Sequence, residues 1–178
     1  MADNDDLKAL IRTIPDFPKP GIQFRDITTL LLDATGFAQS IARMAATTLG
    51  PIDLVAGIEA RGFIFAAALA RPLNAGVLLI RKDGKLPGAT IAEDYALEYG
   101  TDRIAMHADA CAPGKRVLLV DDLIATGGTA RAAVRLLRKA GALVEQAQFL
   151  VDLPDLGGAD ALRGEGLSVD SLVAFAGH

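Results

Sequence analysis

The sequence contains a single cysteine and no tryptophan, and only 5% of its 178 residues are aromatic. One cysteine excludes an intrachain disulfide and any metal site built from a cysteine cluster. The two histidines, His107 and His178, lack the spacing of metal ligands, and we interpret both as structural or solvent-exposed. With so few aromatic rings, aliphatic residues must supply most of the core. A hydrophobic content of 51% supports one domain with a core of that kind.

Basic residues are not in excess, because 22 acidic residues outnumber 18 basic ones and give a net charge of −4. General binding to nucleic acid needs a basic face, so this balance argues against it. No apolar run approaches the ~18–20 residues that a membrane-spanning helix requires. The first six residues are acidic and lack the basic and apolar regions of a signal peptide. We therefore expect a cytoplasmic protein with one domain, residues 1–178, and with neither a nucleic-acid nor a membrane partner.

Two common phosphate-binding motifs are missing as well. No G-x-G-x-x-G sequence occurs, and Phe63 stands where the nucleotide-triphosphate loop requires a lysine. What is present is the segment 117–130, VLLVDDLIATGGTA, which begins with an apolar run typical of a buried parallel strand. Asp121 and Asp122 follow this strand, and a turn of threonines and glycines leads into a helical pattern.

The turn at 125–129 can anchor the phosphate of a phosphorylated sugar. Gly127 and Gly128 let the backbone approach an anion closely, and free N–H groups at the start of the helix point towards it. Thr126 and Thr129 add hydroxyl donors, while the two aspartates can accept from sugar hydroxyls or help to hold a hydrated Mg²⁺. A plain strand end with a helix cap is the alternative. It is disfavoured because acids, hydroxyls and paired glycines converge at the usual ligand position of open α/β sheets.

Strand and helix patterns alternate around this segment. The predicted strands are 54–58, 77–80, 117–120 and 143–151, and the predicted helices are 34–49, 62–71 and a short one carrying Leu7, Leu10, Ile11 and Ile14. This alternation implies a mostly parallel, twisted sheet with helices on both faces. Prolines and a glycine at 15–21 argue against regular structure there. Between 81 and 107 the alternation breaks, and a segment that long is usually functional, so we expect a flexible, hairpin-like lid. A plain hairpin at the domain edge is the compatible alternative.

Five segments together resemble those of a known family. The segment 117–130 resembles the phosphoribosyl-diphosphate signature of the type I phosphoribosyltransferases. Four others narrow the resemblance to the members that act on adenine: PGIQFRDIT (20–28), GIEARGF (57–63), IRKDGKLPG (80–88) and YALEYG (95–100). They run in family order over nearly the whole chain. The departures, Ala105 instead of an acid and Cys111 instead of an aliphatic residue, lie outside the motifs.

The resemblance implies the type I phosphoribosyltransferase fold and a purine salvage reaction. Adenine and 5-phospho-α-D-ribose 1-diphosphate would give AMP and diphosphate, with Mg²⁺ held mainly by the diphosphate and Asp121 or Asp122 as candidate protein ligands. The diphosphate calls for cations, and those at strand-end loops are Arg61, Arg81, Lys82 and Lys85. Arg61 also stands at the start of a predicted helix, where the dipole favours anions, which hints at ligand binding. For 81–85 a solvated turn is the alternative.

The resemblance also implies roles at the ribose and the base. Asp121 and Asp122 would bind the 2′- and 3′-hydroxyls and, with Glu98, face the positive charge that develops on the ribose. Glu98, beside Tyr99, would act as general acid/base at the N7 and N9 edge of adenine, with a surface glutamate as the alternative. Residues 1–33 would form a base-recognition region. The family further implies a homodimer.

Within that region the backbone of 22–25, which includes Gln23, Phe24 and Arg25, would read the amino edge of adenine. Phe24 and Leu153 would sandwich the ring, since an aromatic side chain can stack on a purine. A phenylalanine in a loop rich in proline and glycine can also simply plug the core, and that alternative stays open.

Two other functions are weighed against this one. A regulator that senses phosphoribosyl diphosphate would need a DNA- or RNA-binding surface, and the acidic chain offers neither a helix-turn-helix nor a basic arm. Such a regulator would also have no use for Glu98 or for the cations of 81–85. An enzyme that transfers to a 6-oxopurine is the second alternative, and the segments around Phe24 and Glu98 argue against it.

Overall fold

The computed structural model describes residues 4–96 and 100–177. The helices are α1 (Asp5–Ala9), α2 (Thr28–Leu32), α3 (Ala34–Thr47), α4 (Gly62–Ala70), α5 (Gly128–Lys139) and α6 (Gly158–Gly164). The strands are β1 (Arg12–Pro15), β2 (Gln23–Asp26), β3 (Leu54–Ile58), β4 (Gly76–Lys82), β5 (Thr90–Ala96), β6 (Thr101–His107), β7 (Arg116–Ile124), β8 (Leu143–Asp152) and β9 (Ser168–Ala174). None of the described helices is long and apolar enough to cross a membrane.

The main sheet has seven strands in the order β5-β6-β4-β3-β7-β8-β9. The pairs β3–β4, β3–β7, β7–β8 and β8–β9 are parallel, whereas β6 pairs antiparallel with both β4 and β5. The expected mostly parallel sheet is therefore confirmed, with an antiparallel hairpin at one edge. Strands β1 and β2 form a separate antiparallel ribbon.

Hydrophobic clusters lie on both faces of the sheet, so the expectation of helices on both faces is confirmed. On one face the sheet packs against α5 and α6, with Leu136 and Leu162 fully buried. On the other face it packs against α1 to α4, with Leu7, Met44 and Phe65 fully buried. Because β7 is covered on both faces, residues 117–120 form a continuous apolar run before the acid pair.

The predicted helix that reaches Ile14 is wrong. Helix α1 ends at Ala9, and Ile14 lies in β1, where it pairs with Phe24 of β2. The apolar spacing of Leu7 and Ile11 does bury both side chains, but pairing with β2 determines the backbone beyond them. Pro15 ends β1, a position that a proline tolerates at the edge of a two-stranded ribbon. Regular structure thus extends into the start of the proline-rich segment.

The segment 81–107 contains the hairpin of β5 and β6. Its first strand lies along α5, where the Arg135 guanidinium pairs with Glu93 at 2.8 Å and Lys139 Nζ donates to the Ala92 carbonyl at 3.4 Å. The stem of the hairpin is therefore held against the domain. That the segment moves as a lid stays a prediction.

Candidate active site

A cleft of about 580 Å³ opens at the carboxyl ends of β3, β4 and β7. Its lining residues are Ile58, Glu59, Ala60, Arg61, Lys82, Tyr95, Asp102 and the whole of 121–130. Ligands of open parallel sheets bind at this edge, because the strand ends deliver loops and helix starts to one place. The cleft thus brings together Arg61, Lys82, the acid pair and the turn 125–129, which the sequence places in different segments.

The turn 125–129 wraps around the start of α5. Gly127 adopts a left-handed conformation (φ 79°) at the N-cap, and no side chain caps the helix. The first N–H groups of α5 therefore remain available to an anion. Gly158 packs directly beneath this turn: a Cβ there would lie 2.3 Å from the Ala125 carbonyl oxygen, so only glycine fits. Sequence reasoning did not identify Gly158, because its role depends on a contact between distant segments.

The acid pair lies within β7 rather than after it, since the strand continues to Ile124. Asp122 is also buried, with only 6% of its surface exposed. Its carboxylate accepts a hydrogen bond from Arg61 Nε at 2.5 Å. Burial, and then the negative charge of Asp122, raise the pKa of Asp121 well above its ordinary value. The neighbouring aspartates thus differ in character: Asp122 is paired with a cation, whereas the pKa of Asp121 is raised.

Arg61 connects the acid pair to the ribbon. It occupies the N-cap of α4, and its guanidinium carbon lies 5.6 Å from the centroid of the Phe24 ring. Because Asp122 compensates its charge, the unfavourable position at the start of a helix is tolerated. Gly62, the next residue, lies so close to β7 that a Cβ would sit 2.8 Å from Asp121 Oδ1. Arg61 and the acid pair are therefore held at a fixed separation by tight backbone packing.

Lys82 and Arg81 face different surroundings because successive side chains of a strand point to opposite sides. Lys82 lines the cleft, and its Nζ lies 2.9 Å from Asp102 Oδ2, which also accepts from the Tyr95 hydroxyl at 3.0 Å. The hydrogen bond to Asp102 raises the pKa of Lys82. Tyr95 and Asp102 are directly opposite each other in the hairpin. Sequence reasoning missed both roles, because they depend on the strand register.

Arg81 and Lys85 do not line the cleft, contrary to the expectation that they converge with the other cations. Arg81 binds Glu59 through two contacts, at 3.1 and 3.3 Å, and its Nη1 donates to the Lys85 carbonyl at 3.1 Å. The hydrogen bond between Arg81 and Glu59 is the main cause of the lowered pKa of Glu59. Arg81 therefore ties the 83–85 turn to the loop that follows β3. Glu59 is a further residue of the cleft that the sequence did not reveal.

The base-side residues lie beside the cleft rather than on its wall. The Phe24 ring packs edge-to-face on Phe17 at 5.3 Å, on the side of the ribbon that reaches Arg61. Arg25 stacks on Phe175 instead, and Gln23 pairs with Pro15 in the ribbon. Leu153 is buried directly beyond β8, where its N–H donates to the Ile124 carbonyl at 3.0 Å. Glu98 and Tyr99 lie outside the described residues.

Within residues 4–96 and 100–177, no three His, Cys, Asp or Glu side chains are grouped as metal ligands. Asp122 is already paired with Arg61, so a divalent cation at the acid pair would have to compete with that guanidinium. The arrangement fits a Mg²⁺ ion that a phosphorylated ligand brings with it and holds mainly through its own oxygens.

Comparison with known proteins gives a consistent result. The profile of the phosphoribosyl transferase domain matches residues 28–154. The adenine phosphoribosyltransferase of Bradyrhizobium sp. (strain ORS 278) is 60% identical over 174 residues, which cover 97% of each chain. That of Erythrobacter litoralis is 59% identical over 175 residues, or 98% of each chain.

Solved structures give the same family. The adenine phosphoribosyltransferase of Thermoanaerobacter pseudethanolicus superposes with a TM-score of 0.92 at 46% identity, covering 97% of this chain and 99% of that one. The Saccharomyces cerevisiae enzyme, determined with adenine and an imino-altritol bisphosphate, superposes with a TM-score of 0.89 at 34% identity, covering 96% and 98%.

Proposed function

The chain belongs to the adenine phosphoribosyltransferases, which are pentosyl-transferring glycosyltransferases, and we propose from its cleft how its residues carry out the reaction. The reaction is a step of purine salvage: adenine displaces diphosphate from 5-phospho-α-D-ribose 1-diphosphate, and AMP forms. The proposed roles rest mainly on one observation: a single cleft contains an uncapped helix start, an acid pair and two cations at the carboxyl edge of the sheet. These groups match the phosphate, the ribose and the diphosphate in turn.

The turn 125–129 binds the 5′-phosphate. Backbone N–H groups of Gly127, Gly128 and Thr129, with the hydroxyls of Thr126 and Thr129, supply donors, and the helix dipole adds favourable charge. The left-handed Gly127 and its close packing on Gly158 support this role, because they hold the turn in one shape before the ligand arrives.

Asp121 and Asp122 bind the 2′- and 3′-hydroxyls and face the ribose as it gains positive charge. Burial and the charge of Asp122 raise the pKa of Asp121, and a cationic ribose nearby would lower that pKa again by favouring the carboxylate form. The attraction between the acid pair and the sugar is then strongest when the ribose carries the most positive charge. A preorganised carboxylate that interacts most strongly with the transition state lowers the barrier rather than tightening ground-state binding.

Arg61 and Lys82 hold the departing diphosphate. Each cation is paired with a carboxylate, Arg61 with Asp122 and Lys82 with Asp102, and these pairs hold both cations at the cleft. Mg²⁺, when bound, supplies further positive charge on the diphosphate, and Asp121 or Asp122 are its candidate protein ligands. Arg81 and Lys85 act from outside the cleft, since Arg81 holds the 83–85 turn against Glu59.

The base lies between the ribbon and the acid pair. The backbone of 22–25 reads the amino edge of adenine, and Phe24 and Leu153 enclose the ring. The distance of 5.6 Å between the Arg61 guanidinium and the Phe24 ring supports this, because it places the ribbon next to the arginine that holds the diphosphate. Glu98 acts as general acid/base, and Tyr99, its neighbour in sequence, takes part in substrate binding. Replacing Glu98 by glutamine separates this role from that of a surface residue, because turnover falls with little change in substrate binding.

The enzyme acts as a homodimer in the cytoplasm. Val77 and Leu79 of β4 are 43% and 42% exposed on one side of the strand, and Ile64 of the neighbouring α4 is 40% exposed. An apolar surface of this kind supports an interface between subunits. Light scattering of the purified protein tests the assembly. The cytoplasmic location is supported by the chemistry of the ligands, since multiply charged phosphates do not cross a bilayer unaided.

One experiment tests the proposed function. Labelled adenine, guanine, hypoxanthine and xanthine are each incubated with 5-phospho-α-D-ribose 1-diphosphate and Mg²⁺, and the nucleotide product is measured. AMP from adenine alone is the expected result. Turnover of a 6-oxopurine instead would support phosphoribosyl transfer but contradict adenine as the base. Binding of 5-phospho-α-D-ribose 1-diphosphate without turnover of any base would favour a sensor.

A further inference from the structure

Arg25 of the base-side strand is held by the 175–177 segment, which follows β9. The guanidinium carbon of Arg25 lies 4.5 Å from the centroid of the Phe175 ring, and Arg25 Nη2 donates to the Ala176 carbonyl at 3.1 Å. Lys8 Nζ lies 4.9 Å from the same ring. Lys8 and Arg25, from the first part of the chain, thus both contact the ring of Phe175.

The 175–177 segment is itself fixed to the main sheet. The Phe175 N–H donates to the Asp152 carbonyl at 3.0 Å, which continues the alignment of β9 with β8. The Gly177 N–H donates to Asp155 Oδ2 at 2.7 Å. Phe175 therefore presents its ring from a rigid support, so contact with that ring can hold the Arg25 side chain in place.

The ribbon needs such a support. Strands β1 and β2 form their own two-stranded sheet, and an isolated pair of strands is only marginally stable. Its placement against the domain therefore depends on side-chain contacts. Phe24 and Arg25 are neighbours in β2 and point to opposite sides, one towards Arg61 at the cleft and the other towards Phe175. Fixing the Arg25 side chain consequently fixes the direction in which Phe24 faces.

We propose that Phe175 is a positioning residue for adenine recognition, because its ring and the Ala176 carbonyl hold β2 through Arg25. This proposal rests on the proposed function of β2 in reading the base. Arg25 has further contacts on the ribbon side. Arg25 Nη1 also donates to Thr13 Oγ1 at 2.6 Å, and Arg25 Nε is buried without a hydrogen-bond partner among the described residues. A guanidinium partly withdrawn from water binds an aromatic face more strongly than an exposed one.

The test is Phe175→Leu, which keeps an apolar side chain but removes the ring. The KM for adenine should rise roughly three- to tenfold, the effect of one cation–π contact together with a loosened hydrogen bond. The KM for 5-phospho-α-D-ribose 1-diphosphate and kcat should both stay within about twofold, since the phosphate turn does not touch Phe175. Phe175→Tyr retains the ring and should restore the adenine KM.

The matched control is Phe37→Leu. Phe37 is also partly buried against the same hydrophobic cluster, but its ring packs edge-to-face on Phe65 rather than on a cation. A similar rise in the adenine KM in this control would overturn the proposal, because general loss of packing would then explain it. An equal rise in both substrate KM values for Phe175→Leu, or no rise, would overturn it as well.

A double-mutant cycle and a ligand-free measurement complete the test. In an Arg25→Gln background, Phe175→Leu should have no further effect on the adenine KM, and additive effects would contradict action through Arg25. Hydrogen exchange of the β2 amides in the ligand-free protein should quicken in Phe175→Leu but not in Phe37→Leu. Since exchange does not depend on the reaction, it decides the positioning role even if adenine proves not to be the substrate.

Discussion

The phosphate side and the base side of the cleft are built in different ways. The phosphate side, β7 with the following turn and α5, is one continuous segment at the centre of the sheet, and its binding groups are largely backbone N–H groups. The base side, the β1–β2 ribbon with Leu153 and the 175–177 segment, is assembled from parts far apart in the chain. Arg25 and Ala176, which are hydrogen-bonded, are 151 residues apart. Anion binding thus follows from local backbone geometry, whereas base selection depends on long-range side-chain contacts.

The largest expected effect concerns the base side. Adenine offers an amino donor where hypoxanthine offers a carbonyl acceptor, so a site that pairs with one leaves buried groups unpaired with the other. The kcat/KM ratio of adenine to hypoxanthine should therefore be ~10⁴ or more. Steady-state rates with each base at saturating 5-phospho-α-D-ribose 1-diphosphate measure it. A ratio near one would mean that the ribbon does not select the base and would break the comparison.

The next effect concerns the acid pair. Asp121→Asn with Asp122→Asn keeps the shape of both side chains but removes the charge facing the ribose, so kcat should fall by roughly 10²-fold or more. Asp121→Asn alone should cost little stability, because burial and the charge of Asp122, which raise the pKa of Asp121, make a carboxylate unfavourable at this position. Asp122→Asn should cost more, since it leaves Arg61 without its partner.

Thermal unfolding and steady-state kinetics separate these two effects. The matched control is Asp94→Asn, which removes a carboxylate from an exposed position of the hairpin. If the double variant keeps more than about half of its activity, the charge of the pair does not contribute as electrostatic catalysis requires.

The two sides also differ in how far the sequence predicts them. The strand, turn and helix of 117–139 were predicted because apolar run, glycines and helical spacing are all local signals. Ile14 was assigned to a helix because its pairing with Phe24 is not visible from neighbours alone. The pairing of Arg61 with Asp122, and of Lys82 with Asp102, depends on strand order and register. The sequence therefore supplies Arg61, Lys82, the acid pair and the turn, but neither Glu59, Tyr95 and Asp102 nor the contacts that orient the cleft.

Arg61 touches both sides and sharpens the comparison further. Arg61→Ala should weaken the binding of 5-phospho-α-D-ribose 1-diphosphate and of diphosphate by roughly tenfold or more, the effect of losing one or two charged hydrogen bonds. The affinity for AMP, which lacks the diphosphate, should fall much less. Isothermal titration with the three ligands measures this, and Arg61→Lys separates the charge from the forked geometry. Equal losses for all three ligands would assign Arg61 a structural role between Asp122 and Phe24.

The smallest effect concerns the acid stability of the ribbon. Asp26 of β2 accepts from Thr28 and pairs with Arg12 of β1, and these contacts, the Thr28 hydroxyl first, lower its pKa from 3.8 to about 2. Because the folded pKa is lower than the unfolded one, the stabilisation is fully present above pH 3.8 and is lost as the pH falls through about 2.

Asp26→Asn should therefore flatten the pH dependence of unfolding between about pH 4 and 2, by at most ~2.5 kcal/mol, since one pKa unit corresponds to about 1.36 kcal/mol. Thermal unfolding of the natural protein and the variant at pH 5, 4, 3 and 2 measures this difference. Hydrogen exchange at pH 3 should show the β2 amides opening before those of β7, because the ribbon depends on side-chain charges and β7 is buried on both faces. Equal slopes in both proteins, or β7 opening first, would mean that the base side is no more dependent on such contacts than the phosphate side.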